Sequence, residues 1–490
     1  MTEHVDIICI YDNDNFSAPI EYTFALILST FDVRYKIISL RQLMQEGCYP
    51  HKALFVSYTH DYINVGAEKQ IHIYASDFFG KNYLKPASLP QTPLKKYNGL
   101  PVIYYGHGAF ERWARKSEGL IETNVDIIAS SFFMLSRYEE VVSAAKDRYG
   151  RFPASASLAF KEGFLNRPVV NEYIELIRKW IKSFGFDFKR KKLWGSKDFA
   201  VCLTHDIDEI DKYKFYPPLG TIRRLVANRK VTEAWAVFVD YLQVRASLAD
   251  DPYRIALDRI VNLELECGFT SSLYLMPEGI RYSLDDPYLQ NAISKLRSAG
   301  FEIGIHPDYD SSNDAESLKA QKKKLEAAIG DNIVGGRLHY LKWKIPEMWE
   351  IWEAAGLVYD TTLGFSDCEG FRCGICYPFR PFDLIANRVI NVWELPLTVM
   401  DGTLATYRKM SPVESLKTLV SLLDCVQRYG GVFVLLLHPS YFSELLAPDW
   451  TRCFEGFYNI ICARNALVGS AASIIHEWAD STRRNLFEPH

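Results

Sequence analysis

The sequence lacks the features that mark nucleic-acid-binding, membrane-spanning and secreted proteins. Its formal net charge is −4 and its lysines and arginines are spread along the chain, so it offers no concentrated positive field for nucleic acid. No apolar run is long enough to cross a bilayer, and residues Met1 to Asp6 lack the basic and apolar layout of a signal peptide. We therefore expect a cytoplasmic protein with no nucleic-acid partner and no integral membrane segment.

The cysteines give little sign of a disulfide framework. The ten cysteines lie mainly in apolar segments, as Cys9 does between two isoleucines, which is typical of reduced and buried thiols. Cys368, Cys373 and Cys376 have the spacing of a plant-type iron–sulfur site, for which Cys425 could be the distant fourth ligand. Ten cysteines make a chance triplet plausible, so a cluster or a structural zinc is the weaker interpretation.

The length of 490 residues exceeds one ordinary hydrophobic core, so two or three domains are expected. Between residues 5 and 106, strand-like runs alternate with helix-like or loop segments, which indicates an α/β domain with a small layered sheet. Helical patterns follow at 126–140 and 170–184. We predict a smaller N-terminal α/β domain of unknown role at 1–195 and a second domain at 196–490.

The second domain has a regular alternation of strand-like and helix-like segments. Helical patterns broken by Pro217-Pro218 and Asp250-Asp251-Pro252 indicate a helical insertion at about 209–265. Seven strand-like runs suit a parallel (β/α) barrel whose active site lies at the C-terminal ends of the strands. These runs are 199–203, 272–276, 302–305, 336–341, 357–359, 389–397 and 432–437.

Polar residues with catalytic chemistry follow several of these runs. Asp206 and Asp208 are two residues apart on an extended chain, so both side chains point the same way, as a metal ligand and a general base would. The same two aspartates could equally form an Asp-rich turn that caps the next helix, and this segment alone does not decide between the two interpretations. Four histidines also lie at or just past strand ends, which a barrel gathers into one mouth, and this favours a shared polar site. They are His205, His306, His339 and His438.

In order and spacing, four segments resemble the motifs of the polysaccharide deacetylases of the NodB-homology type, carbohydrate esterase family four. Thr204 to Asp208 is similar to the first motif in its Asp-x-Asp form, and Glu302 to Asp310 is similar to the His-x-x-x-His motif. Arg337 to Tyr340 is similar to the third motif and Leu436 to His438 to the last. The resemblance covers roughly residues 196–445 and implies an α/β fold with a distorted seven-stranded (β/α) barrel.

The first half resembles an uncharacterised domain that precedes some of these deacetylases. The similarity lies mainly at residues 132–140 and 147–151, and it implies no activity. The charged residues of these two segments are expected to pair with one another, or else to contact a partner.

The resemblance implies a divalent metal ion, with zinc expected, and it names the residues that would bind it. Asp208, His306 and Asp310 are the implied ligands, with His339 as the substitute candidate. The chain departs from the family here, because Asp310 replaces the second histidine of one motif and His339 replaces a proline of another. Carboxylate oxygen and imidazole nitrogen both bind zinc-like ions, so either residue could complete the site.

The resemblance also implies the catalytic residues. Asp206 would be the base, oriented by Arg337, and His438 would be the acid that protonates the departing amine. Sugar rings pack their apolar CH faces on aromatic walls, so aromatic residues on loops near the predicted mouth are candidates for substrate binding. Those candidates are Tyr340, Trp343 and Phe371.

These observations predict a metal-dependent hydrolase that removes N-acetyl groups from an amino sugar in a polysaccharide or glycoconjugate precursor. One alternative is a non-catalytic carbohydrate-binding or scaffold protein on the same barrel, because Asp310 could have cost the metal site. Another is a related C–N hydrolase that acts on a small cyclic amide. The sequence does not predict the oligomeric state.

Overall fold

The computed structural model describes residues 5–46, 52–108, 110–214, 217–279, 281–308 and 314–483. The fold is mixed α/β, with two large sheets and helices packed against them. Asp310 lies outside the described residues.

The first sheet has six strands and belongs to the N-terminal half of the chain. Its order is β2-β1-β3-β4-β8-β7, and all neighbours are parallel except β7 and β8. Every residue of β1 is buried, as expected for a strand covered on both faces. β5 and β6 form a separate antiparallel pair. The strands are β1 (Ile7–Tyr11), β2 (Tyr35–Ser39), β3 (Leu54–Thr59), β4 (Lys69–Tyr74), β5 (Lys95–Tyr97), β6 (Leu100–Val102), β7 (Ala114–Ser117) and β8 (Leu120–Thr123).

Six α-helices belong to this half. All nine residues of the helix that begins at Ile127 are buried, and its first turn is capped by Asp126, whose carboxylate accepts the Ala129 N–H. The helices are α1 (Ser17–Ser29), α2 (Leu40–Glu46), α3 (Ile127–Leu135), α4 (Tyr138–Val142), α5 (Leu158–Lys161) and α6 (Val169–Ser183).

The second sheet has nine strands, and all of its pairings are parallel. Its order is β16-β13-β12-β11-β10-β9-β18-β17, and β19 also pairs with β9. β14 and β15 form a separate antiparallel pair. The strands are β9 (Phe199–Ile207), β10 (Ser272–Leu275), β11 (Glu302–Ile305), β12 (Gly335–Gly336), β13 (Tyr359–Asp360), β14 (Phe382–Asp383), β15 (Arg388–Val389), β16 (Trp393–Glu394), β17 (Val399–Met400), β18 (Val432–Leu436) and β19 (Ala466–Gly469).

The two end strands of this order, β16 and β17, belong to one continuous segment. The Leu395 N–H donates to the Asp360 carbonyl (2.9 Å), and the Thr398 N–H donates to the Val434 carbonyl (3.0 Å). The sheet is therefore curled so that its two ends meet on one segment. Pro396, which lies between β16 and β17, has no N–H to donate, so the backbone pairing is interrupted there. Among the described residues the sheet has nine strands where the sequence predicted seven; the run predicted at 389–397 contains β16, and β17 and β19 were missed.

In the second half of the chain, the described residues form nine further α-helices. Three of them, α7 to α9, follow β9 in the stretch where a helical insertion was expected. No helix in the described part of the chain is long and apolar enough to span a membrane. The helices are α7 (Leu219–Ala227), α8 (Val231–Arg245), α9 (Pro252–Glu266), α10 (Pro287–Ser298), α11 (Ala315–Ile329), α12 (Glu347–Ala354), α13 (Pro412–Tyr429), α14 (Pro448–Cys462) and α15 (Ala471–Arg483).

Buried ion pairs join the two halves of the chain. Arg137 pairs with Glu139 (2.9 Å) and Glu140 (2.8 Å), and Arg372 of the second half also pairs with Glu140 (2.5 Å). The charges at the end of α4 were expected mainly to pair with one another, and they also bind across the halves. The largest cluster of buried apolar side chains includes residues from both sheets, so the boundary near residue 195 stays a prediction.

Candidate metal centre and cleft

One carboxylate and two imidazoles converge where the strands of the second sheet end. Asp208, His306 and His339 each offer a ligand atom, and these atoms lie within 4.8 Å of one another. Asp208 Oδ1 is 3.3 Å from His306 Nε2 and 3.8 Å from His339 Nε2. Asp208 and His306 directly follow β9 and β11, and His339 lies in the turn after β12. Parallel strands bring their C-terminal ends to one edge, so this arrangement follows from the topology.

The orientation of His306 suits a metal ligand. Its Nδ1 donates to the Arg337 carbonyl (2.7 Å), because a carbonyl oxygen can only accept. The lone pair of the neutral ring is then on Nε2, which faces Asp208. A backbone carbonyl that fixes the tautomer in this way is a usual partner of metal-binding histidines.

The electrostatics of the cluster suit a cation. Asp208 Oδ1 is buried and accepts no hydrogen bond from the described residues. Burial raises the pKa of Asp208, but the neighbouring imidazoles outweigh that effect, so the net pKa lies well below its ordinary value. Burial and the adjacent His306 lower the pKa of His339 to about 4, which keeps this imidazole neutral. An anionic carboxylate and two imidazoles, with a position open to the cleft, match the ligand set of catalytic zinc sites.

Asp206 and Arg337 form a buried pair beside the cluster. Arg337 Nη1 donates to Asp206 Oδ1 (2.9 Å) and to Thr204 Oγ1 (2.9 Å), and its Nε donates to the Thr361 carbonyl (3.1 Å). These bonds fix one oxygen of Asp206. The other, Oδ2, lies 3.7 Å from His306 Nε2 and faces the cluster.

His438 lies near the other oxygen of Asp208 and is held there by Asp401. Asp401 was not among the residues predicted from the sequence. His438 Nδ1 donates to Asp401 Oδ1 (2.8 Å), and its Nε2 lies 3.7 Å from Asp208 Oδ2. Burial lowers the pKa of His438, but the carboxylate of Asp401 outweighs burial and raises it to about 10. Asp401 directly follows β17. A search for polar residues just past strand ends, which selected the histidines, could therefore have found it too.

A cleft of about 470 Å³ opens over these residues. Asp206, Asp208, His306, His339 and His438 line it, and its aromatic wall consists of Tyr340, Tyr407 and Tyr441.

Two of the three aromatic residues predicted to bind substrate do not line this cleft. Trp343 is 1% exposed and packs against Trp349 and Trp352, and Phe371 is 2% exposed within the second apolar cluster. A ring enclosed by other apolar side chains has no free face for a sugar, so the structure does not bring these two residues to the cleft. Tyr340 does line the cleft, whereas Tyr407 and Tyr441 were missed.

The N-terminal half supplies part of the cleft wall through Arg151. This buried side chain donates to the Tyr340 carbonyl (2.8 Å) and to the Tyr407 hydroxyl (3.2 Å), and it pairs with Asp147 (2.8 Å). The ring of Tyr149 stacks on that of Tyr340, with centroids 5.7 Å apart and planes 12° apart. The loop from Asp147 to Arg151 therefore supports the turn that carries His339.

The remaining candidates have structural surroundings. His205 donates to the Leu437 carbonyl (2.9 Å) and bonds Glu264 (2.9 Å) away from the cleft. The cysteines do not form a group that could hold a single metal ion: the group of this kind found among the described residues is Asp208, His306 and His339. Cys368, Cys373 and Cys376 are buried free thiols. Burial raises the pKa of Cys368 to about 11, so this thiol is protonated.

Comparisons with known proteins give a family of unknown function and several distant structures. Residues 8–185 match the family described as a family of unknown function, DUF7033. A search of curated proteins returned no match.

The solved structures that match include proteins described as polysaccharide deacetylases. A protein from Mycobacterium smegmatis assigned to that class is 18% identical, with a TM-score of 0.41 over 61% of this chain and 96% of that one. One from Pseudomonas aeruginosa is 14% identical, with a TM-score of 0.41 over 61% of this chain and 97% of that one. A CE4 family pseudoenzyme from Bacillus anthracis is 14% identical, with a TM-score of 0.28 over 58% of this chain and 66% of that one. Likenesses this distant establish neither activity nor substrate for this chain.

Proposed function

We propose that this protein is a metal-dependent hydrolase that removes an N-acetyl group from an amino sugar of a polysaccharide or glycoconjugate precursor. The observation that supports the proposal most strongly is the grouping of Asp208, His306 and His339 within 4.8 Å in one cleft. The pairs Asp206–Arg337 and His438–Asp401 flank this group. In this proposal the curled sheet is a distorted barrel of the polysaccharide deacetylase type.

Hydrolysis of an amide requires a nucleophilic water, stabilisation of the oxyanion and an acid for the departing amine. A divalent ion bound by Asp208, His306 and His339 would lower the pKa of a water and polarise the acetyl carbonyl. Asp206 acts as the base in this proposal. Arg337 holds its Oδ1, which leaves Oδ2 facing the cluster to accept the proton of the water.

His438 acts as the acid. Its Nδ1 is bound to Asp401, so the proton that it transfers to the departing amine is the one on Nε2, which faces Asp208 at 3.7 Å. Asp401 keeps the imidazolium populated at neutral pH, because it raises the pKa of His438 to about 10. Tyr340, Tyr407 and Tyr441 supply aromatic surface for the apolar faces of the sugar.

The test combines metal content by mass spectrometry with acetate release from a panel of N-acetylated sugars. We expect Asp208→Ala to lose both metal and activity. We expect His438→Ala to keep the metal and to lose roughly 10²- to 10⁴-fold in turnover, the usual contribution of a general acid. His476→Ala is the matched control, because His476 is 76% exposed on α15 and belongs to no cluster.

Each alternative has its own outcome. Bound metal and sugar without acetate release would favour the non-catalytic binding protein. Hydrolysis of a small cyclic amide without acetate release would favour the related C–N hydrolase. Acetate release by Asp208→Ala equal to that of the wild type would refute the metal assignment.

A further inference from the structure

Helix α8 has two apolar stripes, and only one of them is covered. Ala234 and Val237 are buried on the inner side. The outer stripe consists of Val231, Trp235, Phe238 and Leu242, spaced by four, three and four residues so that they share one face. These four side chains are 62%, 66%, 38% and 49% exposed.

The exposed apolar surface of the described residues is concentrated in this part of the chain. Seven of the eighteen exposed large hydrophobic side chains lie between residues 219 and 248, on α7, α8 and the turn after α8. Contiguous exposed patches of this kind mark an interaction surface, whereas single exposed residues do not. The seven are Leu219, Val226, Val231, Trp235, Phe238, Leu242 and Leu248.

The same segment is positively charged, although the whole chain is not. Residues 217–249 have five basic and two acidic side chains, a net charge of +3, against −4 for the whole chain. Lys230 pairs with Glu233 (3.2 Å). No ion pair with a described residue is formed by the four arginines, which are Arg223, Arg224, Arg229 and Arg245.

We infer that α7 and α8 form a docking surface for an anionic lipid membrane. Helices with exposed tryptophan, phenylalanine and leucine bury these side chains at the headgroup boundary, and nearby arginines are attracted to anionic lipids. A second copy of this chain fits the surface less well, because a symmetric contact would bring two segments of charge +3 together. The docking does not depend on the hydrolase proposal.

The docking surface is connected directly to the cleft. Only ten residues separate Asp208 from the start of α7, and the first of them, Glu209, lines the cleft. The described part of the connecting loop, residues 209–214, contacts the insertion, since Tyr213 packs on Tyr241 of α8 with ring centroids 5.5 Å apart. The Tyr213 N–H also donates to Asp251 (2.9 Å). The insertion that carries the docking surface is therefore joined to the cleft wall by a short segment.

The test is co-sedimentation of the full chain with vesicles of phosphatidylcholine alone or with one third phosphatidylserine. We expect binding to the anionic vesicles that decreases as salt is added, and little binding to the neutral ones. The double variant Trp235→Ser, Phe238→Ser removes the centre of the outer stripe and should weaken binding roughly tenfold or more. The double variant Arg223→Glu, Arg224→Glu should weaken binding to anionic vesicles only.

The matched control is Ile385→Ser, which removes a 67% exposed apolar side chain outside the docking surface and should leave binding unchanged. Far-ultraviolet circular dichroism of each variant checks that the fold is kept. Absence of binding to either vesicle would overturn the inference. A dimer in analytical ultracentrifugation that Trp235→Ser, Phe238→Ser abolishes, without vesicle binding, would assign the surface to a second copy instead.

Discussion

Arg151→Ala should weaken metal binding, although Arg151 belongs to the N-terminal half and contacts none of the three metal-ligand candidates. Its effect would pass through the turn after β12. Tyr340 and Leu341 in this turn have left-handed backbone angles, with φ of 60° and 53°. For residues with a side chain, this conformation costs roughly 1–2 kcal/mol each, so the turn stores about 2–4 kcal/mol.

The contacts of Arg151 are of comparable strength. A hydrogen bond from a charged donor contributes roughly 1.5–3 kcal/mol, and Arg151 donates one to the Tyr340 carbonyl and one to Tyr407. The stacking of Tyr149 on Tyr340 adds about 0.5–1.5 kcal/mol. Without Arg151, the stacking of Tyr149 on Tyr340 contributes less than what the left-handed backbone of Tyr340 and Leu341 costs, about 2–4 kcal/mol. We therefore expect the turn to relax and His339 to move, with a loss of about 10- to 100-fold in metal affinity.

The assay is competition for zinc between the protein and a chromophoric chelator. Arg151→Lys keeps the charge but not the planar fork, so its affinity should be intermediate. Lys146→Ala is the control, since Lys146 is an exposed residue just before the same loop. If Arg151→Ala lowered the melting temperature but bound zinc as tightly as the wild type, the loop would only stabilise the interface and the reasoning would be refuted.

Three further predictions follow from the electrostatics. Asp401→Asn should keep the metal but lower the pKa of His438, so the alkaline limb of the kcat profile should move to lower pH. Burial lowers the pKa of His306, but the neighbouring aspartates outweigh burial and raise it. Below this pKa the ion must displace a proton, so the metal affinity measured by calorimetry should fall by up to about tenfold per pH unit. Burial raises the pKa of Asp360 to about 7 and that of its neighbour Glu394 as well, so the folded state retains protons that the unfolded chain releases. Asp360 alone should therefore lower the unfolding free energy by about 4 kcal/mol between pH 4 and pH 8, Glu394 should add to this fall, and Glu394→Gln should reduce the total slope in urea titrations.

Strands could be predicted where apolar runs are long, and less well where they are short. The run predicted at 302–305 matches β11, and those at 272–276 and 432–437 differ from β10 and β18 by one residue. The two-residue strands are too short to show an alternation of apolar and polar residues. β12 consists of two glycines, and a Cβ on Gly336 would collide with the Ile305 carbonyl, so its place depends on a close approach that no hydrophobic pattern shows.

The position of a side chain at a strand end was the strongest signal for the site. This rule selected Asp208, His306, His339 and His438, which the structure brings to one cleft, but it also selected His205, which bonds Glu264 away from the cleft. It could not rank aromatic residues on loops, because the same residue types fill the core and line sugar sites. Trp343, which the sequence predicted at the mouth, is buried in the core for this reason.

The sequence drew attention to residues 132–140 and 147–151 of the N-terminal half, but it did not show that they contact the second half. Arg151 contacts Tyr340, which lies 189 residues later in the sequence, and Arg372 pairs with Glu140, which lies 232 residues earlier. Contacts at such separations follow from how the two halves pack, and the charged motif at 147–151 could equally be satisfied within its own loop. Since Arg151 reaches both the turn beside His339 and the aromatic wall at Tyr407, the second half alone would lack part of its cleft. The N-terminal half is therefore best understood as a structural part of the site rather than as an independent module beside it.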